Sequence, residues 1–213
     1  FYIKTAMLHK HSLQSMVQNY LEALNKFELL CSVPEESQNR LAISTLKREM
    51  EKSAVDIFNK VWCAFPFSAE DVQSSKQLLD TAPEYVKQLL MAALFLGQTK
   101  FYDETKLILM METYLAATDV KTQTRALVGV VLTMILHPKR IQLSSRLSSL
   151  MANLAENQHF QADVNSIVQR LVMARNTENL SKRMREELMP NIMNMDPGLL
   201  SKLKSNPPID PSE

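Results

Sequence analysis

The sequence predicts an all-α protein: an α-α superhelix of stacked antiparallel helical hairpins, with a long helical hairpin at its N-terminal end. Three observations favour this fold. Apolar residues recur at helical spacing almost throughout, and the alternation typical of strands is sustained nowhere. Predicted helix starts near residues 83, 102, 120, 139 and 159 follow steps of 18 to 20 residues. Only 3 of the 213 residues are glycine, so turns depend on Pro, Asp, Asn and Ser, and glycine-rich phosphate loops are excluded.

Residues 1–66 are predicted to form the long hairpin. Its first helix carries an apolar stripe from Leu13 to Cys31. Pro34 and the two glutamates after it suit the first turn of a second helix that runs to Phe65. Because the chain begins at Phe1 without an initiator methionine, we expect it to be part of a longer protein.

The two cysteines provide a geometric prediction. A continuous second helix of ~29 residues would hold Cys31 and Cys63 ~40 Å apart, whereas a disulfide needs Cα atoms ~4.4 to 6.8 Å apart. We therefore expect two free thiols, which favours a reducing compartment and a cytoplasmic location. The longest apolar run, 126–136, is well short of the ~20 residues of a spanning helix, so no membrane span is expected.

Residues 67–195 are predicted to form the helical-repeat array, followed by a short helix and a linker-like tail at 196–213. Ser68, followed by two acids, predicts an N-cap, and Pro83 opens the next helix. Gly97 is predicted to be a C-cap, and Gly129 a point where two helices approach closely. The two later helices carry predicted inward stripes. These are Ile141, Leu143, Leu147, Leu150, Met151 and Leu154, then Phe160, Val164, Ile167, Val168, Leu171 and Val172.

Two stretches carry a resemblance to known repeat families. The sequence LGQTKFYDE at 96–104 resembles the turn within a tetratricopeptide unit, and residues 119–129 resemble the second helix of a HEAT unit. The resemblance covers roughly residues 83–175. The segment 178–195 is similar to uncharacterised bacterial helical-repeat proteins, which implies no particular activity. The resemblance to tetratricopeptide and HEAT units implies an α-solenoid.

Candidate catalytic groups all have a simpler structural explanation. Glu35-Glu36, Glu70-Asp71 and Asp103-Glu104 lie in predicted first helical turns, where acids stabilise the helix dipole. His9 and His11 point to different sides of a helix, which is a poor metal site, and His137 suits a helix C-terminus. We therefore expect no catalysis, no bound metal and no cofactor.

Charge is distributed unevenly although the net charge is only +1. Residues 66–119 contain 8 acidic and 4 basic residues, and residues 139–185 contain 8 basic and 3 acidic residues. The basic set is the candidate partner-binding surface: Lys139, Arg140, Arg146, Arg170, Arg175, Lys182, Arg183 and Arg185.

The functional prediction is a non-catalytic protein-interaction scaffold whose partner is a protein or peptide, acidic if the basic set receives it. The alternative is a HEAT-like nucleic-acid-binding module that uses the same basic set. A third class, an enzyme, would require converging ionisable groups, which the sequence gives no reason to expect. The methionines at 110–111 and 184–195 are candidates for an adaptable binding groove or, alternatively, core residues.

Overall fold

The computed structural model describes residues 11–32, 40–141, 143–156 and 158–183, together with Glu186. Within these ranges the chain forms nine α-helices and no strand, which confirms the all-α prediction. The helices are α1 (Leu13–Cys31), α2 (Arg40–Cys63), α3 (Ala69–Thr81), α4 (Glu84–Gln98), α5 (Glu104–Ala116), α6 (Val120–Leu136), α7 (Pro138–Ile141), α8 (Ser145–Ala155) and α9 (Gln158–Arg183).

Helix starts are fixed by local capping residues. The hydroxyl of Ser68 accepts a hydrogen bond from the Asp71 amide, and Asp71 accepts one from the Ser68 amide in return, which is a complete capping box. Asp103 and Asp119 cap α5 and α6 through two amides each. The predicted N-cap at Ser68 and the first-turn positions of Glu70, Asp71 and Glu104 are therefore confirmed, and Glu35 and Glu36 lie outside the described residues.

The helices pack in two rows. In one row α2 contacts α4 and α4 contacts α6, while in the other row α1 contacts α3 and α3 contacts α5. Between the rows, α1 packs against α2 and α5 packs against α6. Each of α1 to α4 thus contacts a sequence neighbour and the helix two places further on, a packing that fits stacked hairpins. The core between the rows includes the fully buried Leu94, Met110 and Val130.

Contacts divide the chain into two compact units, the first ending at Val164 and the second beginning at Asn165. In the first unit, the phenol of Tyr114 donates a 2.9 Å hydrogen bond to Asp163, and its ring meets Phe160 edge-on. The second unit contains the remaining turns of α9 to Arg183. There, Val168 and Val172 are exposed, so the prediction that both face inward is wrong.

Two further predictions about local structure fail. The helix expected from 139 is interrupted: α7 ends at Ile141, and Ser144 caps a separate helix α8, which leaves Leu143 85% exposed. Gly97 is not a C-cap, because it lies inside the last turn of α4 without a positive φ.

Other predictions hold. Cys31 and Cys63 are free thiols, as predicted. Gly129 marks a close approach, because an added Cβ would lie 2.8 Å from the Met110 sulfur. The predicted second-helix start at Pro34 lies outside the described residues, and so does the tail at 196–213.

Candidate functional site

A groove of about 390 Å³ lies in the first unit between α3 and α5. Leu79 of α3 and Leu109 of α5 form apolar parts of its lining, and Lys87 of α4 lines it as well. Two small residues also line the groove: Ala116, the last residue of α5, and Ala117, which follows it. Because these side chains are small, the chain leaves open space where α5 turns into α6.

One ion pair crosses the boundary of this groove. The ammonium of Lys76 on α3 lies 2.8 Å from a carboxylate oxygen of Glu112 on α5, and both side chains are almost half exposed. An ion pair of this exposure contributes little to stability, typically below ~1 kcal/mol. Asp80 and Lys87 also line the groove, so its walls carry both signs of charge beside apolar surface.

Asp119 forms the end of the groove at the start of α6. Its carboxylate accepts hydrogen bonds from the hydroxyl and the amide of Thr122 and from the amide of Lys121. The Thr122 hydroxyl is the main cause that holds the pKa of Asp119 below its usual range, and desolvation opposes it. Asp119 is therefore an anion at neutral pH, engaged in capping rather than available as an acid.

A second hollow of about 320 Å³ adjoins the groove and shares Lys76, Leu109 and Glu112 with it. Its other walls include Phe67 and the exposed Arg146 at the start of α8. The Lys76–Glu112 pair therefore separates two neighbouring hollows on one side of the first unit.

A buried lysine lies on α5, the helix that contributes to both hollows. Lys106 of α5 is 2% exposed, and its ammonium donates a 2.8 Å hydrogen bond to the carbonyl oxygen of Val61 in the last turn of α2. The ammonium also lies 5.3 Å from the centre of the Phe67 ring. Burial lowers the pKa of Lys106 to about 8, and the nearby carboxylate of Asp103 opposes that shift.

A network of hydrogen bonds between side chains and backbone groups lies at the start of α5, the helix that carries this lysine. Asp103 accepts a 2.7 Å hydrogen bond from the buried amide of Phe67. The side chain of Gln98 donates to the carbonyl of Asp103 and accepts from its amide. His137 at the end of α6 lies 2.6 Å from the Gln98 carbonyl, which can only accept, so the imidazole donates. These contacts hold the ends of α2, α4 and α6 against the start of α5.

A lysine with a lowered pKa is chemically able to act as a base or a nucleophile when a substrate reaches it. Lys106 lines neither hollow, and its amine is engaged with Val61. The contact with Val61 places the Lys106 ammonium at the C-terminal end of α2, where the helix dipole is negative. His137 is the C-cap residue of α6, as the sequence predicts, and its imidazole contacts the Gln98 carbonyl at the end of α4.

The predicted basic set is divided between the two units. Lys139 and Arg140 lie on α7, and Arg146 alone reaches a hollow. Arg170, Arg175 and Lys182 are exposed on the part of α9 in the second unit. At ~100° per residue, Arg170 lies more than ~100° around α9 from Arg175 and Lys182. Arg185 and the side chain of Arg183 lie outside the described residues.

Sequence reasoning missed the groove and the buried lysine. The acidic composition of 66–119 was the available signal for the groove, because Asp80, Glu112 and Asp119 all belong to it. For Lys106 the signal was its position before the apolar run LILMM in α5. Met110 and Met111 are fully buried core residues rather than groove residues, and the methionines within 184–195 lie outside the described part of the chain.

Among the described residues, no three His, Cys, Asp or Glu side chains are grouped so that they could hold a metal ion. None of the helices in the described ranges has the length and hydrophobicity needed to cross a membrane. Comparison of the chain with protein families, with curated proteins and with solved structures found no match.

Proposed function

We propose that this chain is a non-catalytic protein-interaction scaffold that holds a segment of a partner protein in the groove between α3 and α5. The observation that carries the proposal is the open groove itself, which combines apolar walls, small residues and charges of both signs. Such mixed linings suit peptide segments, because apolar contacts give affinity and a few polar groups fix register.

The neighbouring hollow extends the proposed binding path. A peptide that crosses the Lys76–Glu112 pair would pass from the groove to Arg146. Arg146 would receive an acidic side chain of that peptide through a charge-assisted hydrogen bond. This is the acidic partner chemistry that the basic set predicts, restricted to one of its members.

We further propose that the fold is a helical-repeat array of the kind that binds proteins on an extended surface. The support is that contacts follow the order α2, α4, α6 in one row and α1, α3, α5 in the other. A cytoplasmic location is part of the same proposal. It is supported by the two exposed free thiols, Cys31 and Cys63, which are typical of proteins in a reducing compartment.

A peptide-display selection against the whole chain tests the proposal. Peptides enriched on the wild type should bind the groove-filling variant Ala116→Trp at least ten times more weakly. The matched control is Ala152→Trp, on the exposed face of α8 and outside both hollows, which should bind the same peptides as the wild type. Circular dichroism and a thermal melt confirm that both variants are folded.

Two results would reject the proposal: a selection that enriches no peptide, and enriched peptides that bind Ala116→Trp as well as the wild type. The nucleic-acid alternative is tested on the same proteins with single-stranded and duplex DNA. Binding that weakens steeply with salt and is lost in Arg175→Ala/Lys182→Ala would favour the alternative.

A further inference from the structure

An apolar hollow of about 680 Å³ lies at the end of the first hairpin where α1 finishes and α2 begins, remote in the chain from the groove. Leu29 and Leu30 of α1 form one wall, and Leu41 and Leu46 of α2 form the other. Leu29 is 68% exposed and Leu41 is 77% exposed, among the highest values for large apolar side chains in the described part of the chain.

Contiguous apolar surface of this kind marks an interaction site more often than isolated exposed leucines do. The four leucines come from two helices and line the same hollow, so a partner could cover them in one contact. The chemistry of the rim then decides which kind of partner is complementary.

The rim carries one charge of each sign. Lys26 lines the hollow from α1, and Glu49 lines it from α2. Among the residues that the structure describes, neither takes part in an ion pair, and the lining is formally neutral. A partner with a single sign of charge would match one of these groups and oppose the other.

A surface with this pattern is complementary to itself. In a contact with two-fold symmetry, the same patch is used on both chains. If one residue of the first chain contacts a second residue of the other chain, the reverse contact also forms, so every pair occurs twice. Here each Lys26 would meet Glu49 of the partner subunit, and the leucines of the two copies would cover one another. Both charges are then matched, which no singly charged partner achieves.

We propose that this hollow is a self-association surface, at which a second copy of this chain docks with two-fold symmetry. The contact buries the four leucines and forms two reciprocal pairs between Lys26 and Glu49. Because only eight residues line the hollow, against roughly 20 to 30 residues per side in a standard interface, the dimer is weak and depends on protein concentration.

Charge reversal tests the proposal with one specific expectation. In Lys26→Glu both rim charges are negative, and in Glu49→Lys both are positive, so each variant repels its own copies. Mixed in equal amounts, the two variants present opposite charges at both pairs and should associate again. Sedimentation equilibrium of each protein alone and of the mixture measures this over a range of concentrations.

Lys47→Glu and Glu51→Lys are the matched controls, because both residues are exposed on α2 but do not line the hollow. We expect the wild type and both controls to dimerise alike, each rim variant to weaken the dimer at least tenfold, and the mixture to recover it. Leu41→Ser should also weaken the dimer, with an unchanged thermal melt.

Three outcomes would overturn the proposal. One is a wild type that stays monomeric at every concentration, as it would if another part of the chain or a different protein covered the hollow. Another is a mixture that associates no better than its components. The third is a dimer equally sensitive to the control reversals. None of these outcomes affects the groove between α3 and α5, so the proposed function is tested separately.

Discussion

The ammonium of Lys106 donates a 2.8 Å hydrogen bond to the carbonyl oxygen of Val61, a residue 45 positions earlier in the chain. This contact joins α5 to the C-terminal end of α2, inside a network that also includes Asp103 and Phe67. Helices α3 and α5 form the walls of the groove, so this buried contact helps to position α5.

Replacing Lys106 with Met should destabilise the protein. The substitution keeps most of the apolar stem but leaves the Val61 carbonyl buried without its donor, which costs roughly 1 to 3 kcal/mol. Urea unfolding at neutral pH measures the loss. Lys100→Met is the control, because Lys100 is exposed and the change should be within about 0.5 kcal/mol. A Lys106→Met protein as stable as the wild type would show that the buried contact contributes nothing.

The stability of the wild type should rise between pH 8 and pH 9.5. Burial lowers the folded-state pKa of Lys106 from 10.5 to about 8, so in this window the unfolded chain binds more protons than the folded one. Stability therefore increases with pH, by no more than about 1.4 kcal/mol per pH unit. Urea unfolding across the window, for the wild type and for Lys106→Met, isolates this contribution. A difference between the two proteins that does not grow with pH would contradict the assignment.

Gly97→Ala should cost stability although alanine is the better helix former. The added Cβ would lie 2.6 Å from the Lys106 ammonium and 3.1 Å from the Trp62 carbonyl oxygen, which belongs to the backbone. We expect a net loss of about 1 to 3 kcal/mol by thermal or urea unfolding. Gly129→Ala is the comparison, because its nearest contact is the flexible Met110 sulfur and the loss should be smaller. Equal losses would mean that the backbone contact is not decisive.

Asp103→Ala should be more damaging than the corresponding change at Asp119. Both residues cap a helix, but Asp103 also accepts the hydrogen bond of the buried Phe67 amide. Losing the cap and leaving that amide without a partner should cost at least about 2 kcal/mol. Denaturant midpoints of the two variants make the comparison. A lower denaturant midpoint for Asp119→Ala than for Asp103→Ala would contradict this ranking.

Features fixed within a few residues could be predicted from the sequence. Ser68 caps α3 through Asp71, three positions away, and no distant contact is needed for that geometry. The interruption after Ile141 could not be predicted, because Leu143 continues the apolar helical pattern and only the Ser144 cap competes with it.

The groove and its buried support depend on contacts between distant segments. Lys106 meets Val61 only because α5 packs at the end of α2, and Lys76 meets Glu112 only because α3 lies beside α5. The spacing of apolar residues predicts which face of a helix is buried but not which helix it meets. The basic set was predicted from the distribution of charge along the sequence alone. Of its described members, only Arg146 lines the hollow next to the groove.

Peptide binding in the groove between α3 and α5 can be observed residue by residue. The most direct measurement is an NMR titration of the isotope-labelled chain with a display-selected peptide, followed through backbone amide chemical shifts. We expect the largest shifts at groove-lining residues, such as Lys76, Ala116 and Thr118, and we expect these shifts to be absent in Ala116→Trp. Shifts confined to α9, around Arg175 and Lys182, with none in the groove, would contradict this expectation.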